Sequence, residues 1–272
     1  MKRMILIFIV VLMFIAVAYT GFYIYKKLNM NIAEVALTGN WDKVERMIEN
    51  NTDLNAKTEE GLTALLIACY CNEKEIVELL IDNGVNVNED FYQYGTPIMF
   101  SSRNGNLEIA QILIDNGGDI NCKDIVVGFT PLSYASFNGN SKTVKFLIEN
   151  GADVDIRSKN RRTSIMLAII RDHFEIVKLI YANIDDSKYS NEEKLIIYSY
   201  IGDFDKVKEL VLDKKTDPNA TNMEYTPLMG AVKSENMKII DFLIKKGADK
   251  NYKGYRGESA KDYAKEKGIE LD

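Results

Sequence analysis

The chain has 272 residues, 46% hydrophobic and 27% charged, with 34 basic and 40 acidic side chains and a formal net charge of −6. Lys2, Arg3, Lys26 and Lys27 are four of those bases and no acid precedes residue 28, so the remaining 30 bases face all 40 acids, a balance of −10. That excess argues against nucleic acid as the main partner, since phosphate binding needs clustered Lys and Arg.

Cys69, Cys71 and Cys122 are an odd set without regular spacing, which is no disulfide framework. They read as small packing residues. A metal site would also want His, and His173 stands alone.

Residues 4–25 run from Met4 to Tyr25 without a charge. As a helix they would span about 33 Å, enough to cross a bilayer. Lys2 and Arg3 precede the run, Lys26 and Lys27 follow it, and Tyr19, Phe22, Tyr23 and Tyr25 crowd its end, where aromatics favour the membrane interface. Residues 1–27 therefore read as one N-terminal transmembrane helix, a single-pass anchor. The small excess of positive charge before it places residues 28–272 outside the cytoplasm, although three unpaired cysteines lean the other way. The alternative is a signal peptide cut near Ala16-Val17-Ala18, leaving a secreted or periplasmic protein.

From residue 28 a module of about 33 residues recurs. Its starts fall near 28, 61, 94, 128, 161, 191, 224 and 257. The clearest copy has Thr130-Pro131-Leu132 opening a helix, Gly139 ending it, a second apolar stripe at Val144, Phe146, Leu147 and Ile148, and a short finger at Gly151-Ala152-Asp153. Thr63, Thr96, Thr130, Thr163 and Thr226 stand where a hydroxyl caps free N–H groups. Pro97, Pro131 and Pro227 follow at the first helical position, where a missing N–H is harmless. Ala68, Ala135, Ala168, Ala231 and Ala264 recur where helices approach closely, and Gly84, Gly117, Gly151 and Gly247 fit the left-handed residue that stops a helix.

This helix-turn-helix-finger unit resembles the ankyrin repeat, on Thr130-Pro131-Leu132, Thr226-Pro227-Leu228, Thr96-Pro97-Ile98, Gly151-Ala152-Asp153 and Gly247-Ala248-Asp249. The resemblance implies an all-α ankyrin-repeat solenoid of about eight units over residues 28–272, with Gly257 to Gly268 as a polar closing unit. The family's His after Thr-Pro-Leu is replaced throughout, by Leu66, Met99, Ser133, Met166, Ile196 and Met229. That removes a polar network between units and shifts stability towards packing. The unit starting at Arg161 is three residues short and the next has Tyr198 where Ala is usual. A bend, irregular stacking or simply a shorter loop is expected near residues 182–200.

Nothing in the chain resembles a phosphate loop or a nucleophile elbow. His173 aligns with a repeat turn and reads as structural; Asp185 and Asp186 read as a loop. No catalytic residue, metal, cofactor or small-molecule substrate is expected, and the chain does not read as an enzyme.

Arrays of the resembled family bind through finger tips and the inner face of each first helix. Carried onto this sequence, the inner positions are Tyr70, Arg103, Phe137, Ile170, Tyr200 and Lys233. The tips hold Phe91, Tyr92 and Tyr94, then Ile125, Val127 and Phe129, then the basic run Arg157 to Arg162 with Arg161 and Arg162, then Met223 and Tyr225, then Tyr252 and Tyr255. Tyr and Arg dominate binding hot spots. The expectation is a membrane-tethered scaffold that holds a protein along a strip from Tyr70 to Tyr225. The alternative is a secreted or periplasmic inhibitor or immunity protein directed at one enzyme.

Overall fold

The structure is a computed structural model that describes residues 29–50, 52–91, 95–222, 225–254 and 257–271. The apolar segment 4–25 and the tip residues Tyr92, Tyr94, Met223 and Tyr255 lie outside the described residues. Among the described residues there are fifteen α-helices and no strand. Three isolated antiparallel bridges, Lys57 with Thr63, Phe91 with Gly95 and Asn222 with Tyr225, close the bases of fingers.

The first helices of successive units are α1 (Ile32–Leu37), α3 (Ala64–Cys71), α5 (Pro97–Asn104), α7 (Pro131–Asn138), α9 (Ser164–Ile170), α11 (Asn191–Ile201) and α13 (Pro227–Lys233). Each is followed by a second helix: α2 (Trp41–Glu49), α4 (Lys74–Asp82), α6 (Leu107–Asp115), α8 (Ser141–Glu149), α10 (Phe174–Tyr181), α12 (Phe204–Leu212) and α14 (Met237–Lys245). A lone α15 (Ala260–Glu266) closes the array. Substantial helix packing joins only partners within a unit or in adjacent units.

Composition explains the two layers. In α3 every residue from Ala64 to Cys69 is buried, because the helix is sandwiched between α1 and α5. Second helices bury one stripe: Ile76, Val77 and Leu80 in α4, Ile109, Ala110 and Leu113 in α6, Ile239, Ile240 and Leu243 in α14. Each such Ile, Val or Leu side chain contributes about 1.5–3 kcal/mol when removed from water. Thr63, Thr130 and Thr226 cap as expected, accepting from Leu66, Ser133 and Met229 N–H. Thr96 and Thr163 make no such cap; the Thr96 hydroxyl lies instead 3.2 Å from Cys122 Sγ.

Besides packing, asparagine side chains make polar links between units. Asn88 Oδ1 accepts from Asp119 N–H at 2.8 Å while its Nδ2 donates to the Gly117 carbonyl at 2.9 Å. Asn121 repeats this towards Asp153 and Gly151, and Asn219 towards Asp249 and Gly247. A second row ties helix ends: Asn140 Nδ2 donates to the Ser102 and Arg103 carbonyls, Asn106 Nδ2 to that of Cys69. His173 serves the same purpose, its Nε2 donating to the Phe137 carbonyl at 3.3 Å.

Irregular stacking is found where the short unit sits. A single 3₁₀ turn (Asp186–Lys188) replaces the usual finger, and α11 packs closely on α13 but only thinly on α9. Gly230 inside α13 permits the close side: a Cβ there would stand 3.2 Å from Tyr200 N and 3.3 Å from the Ile196 carbonyl oxygen. Polar ties span the thin side. Arg157 grips Glu193 with two bonds of 2.7 and 3.0 Å and donates to the Lys188 carbonyl at 2.8 Å, while Tyr189 OH donates to Asp155 at 3.1 Å.

Candidate partner-binding groove

A groove of about 810 Å³ opens across α1, α3 and α5. Leu62, Leu66 and Ile67 are among its lining residues, with Leu37, Trp41, Tyr70, Phe91, Phe100 and Arg103 around them. Tyr70 sits in the last turn of α3 and is 63% exposed; Leu37, at the end of α1, is 52% exposed. The Tyr70 ring meets Phe100 edge-on at 6.4 Å. Gly61, at φ +91°, lies beside Phe91: the ring is 3.6 Å from where a Cβ would be, an ordinary contact. Arg103 is exposed and makes no ion pair among the described residues. Cys71 also lines the groove, its thiol pushed up by partial burial and by Glu73. The result is an apolar trough with one cation on its wall.

Further along, the inner face is progressively filled. Phe129 packs on Tyr134 at 5.5 Å and on Phe137 at 6.4 Å, and the Arg171 guanidinium covers Phe137 at 4.6 Å. Phe129, Phe137 and Ile170 are all half-buried.

Two residues expected to make contacts are buried in the structure. Tyr200 is 1% exposed: Phe174 stacks against it at 5.7 Å, and Asp172, which takes its hydroxyl, also binds Lys233 Nζ at 3.1 Å. Burial and then the Asp172 carboxylate push the Tyr200 phenol up, so it stays a donor. Lys233 in turn lies over the Tyr263 ring at 4.0 Å, completing a lid on this half of the face. Tyr225 is 8% exposed, because its backbone exchanges hydrogen bonds with Asn222 and sets it at the base of a finger rather than the tip.

The middle finger tips do project. Asp124, buried, accepts from the N–H groups of Val126 and Val127 on Oδ1 and of Phe129 on Oδ2, at 2.7–2.8 Å. This fixes a turn that leaves Ile125 44% and Val126 53% exposed, with Val127 half-buried. The next tip docks on it: Lys159 N–H donates to the Val127 carbonyl at 2.9 Å and Lys159 Nζ to that of Ile125. Arg161 is exposed in a left-handed turn, φ +61°, and Arg162 is half-buried.

The structure thus brings Tyr70, Phe91 and Arg103 into one groove, and Ile125, Val127, Arg161 and Arg162 into a separate patch. Sequence reasoning missed Leu37, Trp41 and Phe100. Leu37 stands nine residues past its unit start, the same place as Tyr70 and Arg103, so the repeat register could have found it. Trp41, the chain's one Trp, was the signal that could have been used. Among the described residues, no group of three or more His, Cys, Asp or Glu could hold a metal ion, and no helix is long and apolar enough to cross a membrane.

The family model for ankyrin repeats (3 copies) matches residues 32–124 and 116–191, and that for the single ankyrin repeat matches 223–255. Alpha-latrocrustotoxin-Lt1a of Latrodectus tredecimguttatus is 34% identical over 108 residues, a stretch covering 39% of this chain and 8% of that protein.

Proposed function

Because the chain belongs to the ankyrin-repeat family, we propose that it is a binding scaffold that grips a protein partner in the α1–α3–α5 groove while residues 4–25 tether it to a membrane. The observation that carries the reading is Tyr70, 63% exposed among Leu37, Phe91 and Phe100 with Arg103 beside it. Exposed apolar clusters rimmed by polar groups mark interaction sites, and Tyr and Arg are the side chains that anchor them. The occupant that fits is an apolar segment carrying a carboxylate for Arg103. The tether is supported by the uncharged run 4–25 and its flanking lysines.

Affinity capture from detergent-solubilised membranes tests this, with the full chain compared to a Leu37→Ser/Tyr70→Ser variant and to Arg103→Glu. Both variants change exposed side chains and should keep the wild-type helical spectrum yet lose the captured protein. Retention by both would overturn the groove. Resistance to alkaline extraction, with an intact N-terminal mass, supports the tether; a mature chain beginning after Ala18 overturns it in favour of a secreted inhibitor.

A further inference from the structure

We infer that the paired finger tips at 123–127 and 157–162 form a second contact surface, one that rests on an anionic lipid bilayer. It lies apart from the groove and needs no protein partner. It rests on the tethering proposal only in that a tether of a few residues holds the array within reach of the lipid.

The argument starts from charge. Residues 28–272 carry ten more acids than bases, yet these two tips gather Lys123, Arg157, Lys159, Arg161 and Arg162 side by side. The contacts show that they are neighbours: Lys123 Nζ donates to the Arg157 carbonyl at 3.2 Å, and Arg157 Nη1 to that of Arg161 at 3.1 Å. Arg157 is paired with Glu193. The partners of Lys123 and Lys159 in these bonds are backbone carbonyls, which leave their charge uncompensated. The nearby Asp124 is buried and spent on backbone N–H groups, so it faces inward.

The second observation is apolar. Ile125 and Val126, consecutive and exposed, stand at the apex of this basic surround. Two adjacent aliphatic side chains in water are an unusual choice for a turn, and Asp124 holds the turn in one shape whether or not anything covers it. An apex of aliphatics ringed by lysine and arginine matches the layering of a bilayer surface: acyl chain at the centre, anionic headgroups around it. An acidic protein groove would use the cations but offers no reason for a preformed aliphatic point.

The test uses the full chain with Trp41→Phe and Val126→Trp, so that the only indole marks the tip. It is reconstituted into phosphatidylcholine vesicles with or without phosphatidylglycerol, the acyl chains being brominated as quenchers. The expected result is quenching in anionic vesicles and little in zwitterionic ones. Adding Lys123→Gln, Lys159→Gln and Arg161→Gln keeps the N–H donors and removes three charges. This should shift the docked fraction on the order of a hundredfold, at about fivefold per charge. Absence of quenching, or equal quenching in both lipids, overturns the inference. A blue-shifted but unquenched emission would assign the tip to a second copy of the chain and overturn it too. Failure of the tether reads differently: the protein washes off zwitterionic vesicles, while the indole still reports on anionic ones.

Discussion

The Tyr200 hydroxyl donates to Asp172 Oδ1 at 2.7 Å across a unit boundary, and Asp172 holds a left-handed backbone, φ +64°, to receive it. The matching helix ends carry Gly105, Gly139 and Gly202 in three units and Asn72 and Glu235 in two others, all at positive φ. An aspartate there stores strain that glycine avoids, and in return it places a carboxylate between Tyr200 and Lys233.

Removing that bond tests its worth. Tyr200→Phe should cost about 1.5 kcal/mol, the lower range for a hydrogen bond to a charged group, because Lys233 still pairs with Asp172. Tyr200→Ala should cost about 4 kcal/mol through the cavity it leaves. Denaturant titration measures both, and Tyr200→Phe should leave partner capture unchanged.

Asparagine substitutions should show that the finger ladder contributes to stability. Asn88 makes one accepting and one donating bond to the next unit. Asn88→Ala should therefore cost about 2 kcal/mol, and Asn88→Asp, which keeps the acceptor, about half of that. Equal costs for the two, read from urea midpoints, would mean that the ladder's acceptor side carries nothing.

The three thiols should differ sharply in reactivity at neutral pH. Cys69 is fully buried, and burial raises its thiol far above the ordinary range. Cys122 is pushed up to about 11, first by burial. Cys71 is exposed and raised by partial burial and Glu73, yet it alone is open to reagent. A thiol probe should label Cys71 first and the others only on unfolding, and a partner seated in the groove should slow that labelling.

Acid should weaken the tie between Arg157 and Glu193 in a defined window. Burial works to raise the Glu193 carboxyl, but hydrogen bonds from Arg157 and Ser190 N–H, with the Arg157 charge, bring it below its ordinary 4.5. A carboxyl lower in the folded than in the unfolded state adds stability above the unfolded value and loses it as pH falls through the folded one. Glu193→Gln should thus cost about 2 kcal/mol at pH 7, and the gap in melting temperature from wild type should close as pH drops below 4.5.

The repeat was legible because its signals are local: Thr130 before Pro131 and the apolar stripe of α8 each announce themselves within a few residues. The groove was half legible. Tyr70, Phe91 and Arg103 follow from position within the repeat, as Leu37 would have, whereas Trp41 and Phe100 become wall residues only through how neighbouring units pack. Tyr200 misled for the same reason. Its position matches Tyr70, but residues 28 and 33 positions away in sequence, Asp172 and Lys233, close over it. The aromatic row of tips was legible as composition, but Tyr225 turned out to be a base residue because its backbone pairs with Asn222.

Thin packing between α9 and α11 has a consequence for cooperativity. In a one-dimensional stack, free energy passes only from each unit to the next, so a weakened junction divides the stack into blocks in series. Here ionic and hydroxyl contacts of Arg157, Asp155 and Asp172 cross the junction beside the ring pairs Phe174–Tyr200 and Tyr181–Tyr198. Ionic strength, as well as temperature, therefore bears on how tightly the fate of the rear units is bound to that of the front ones.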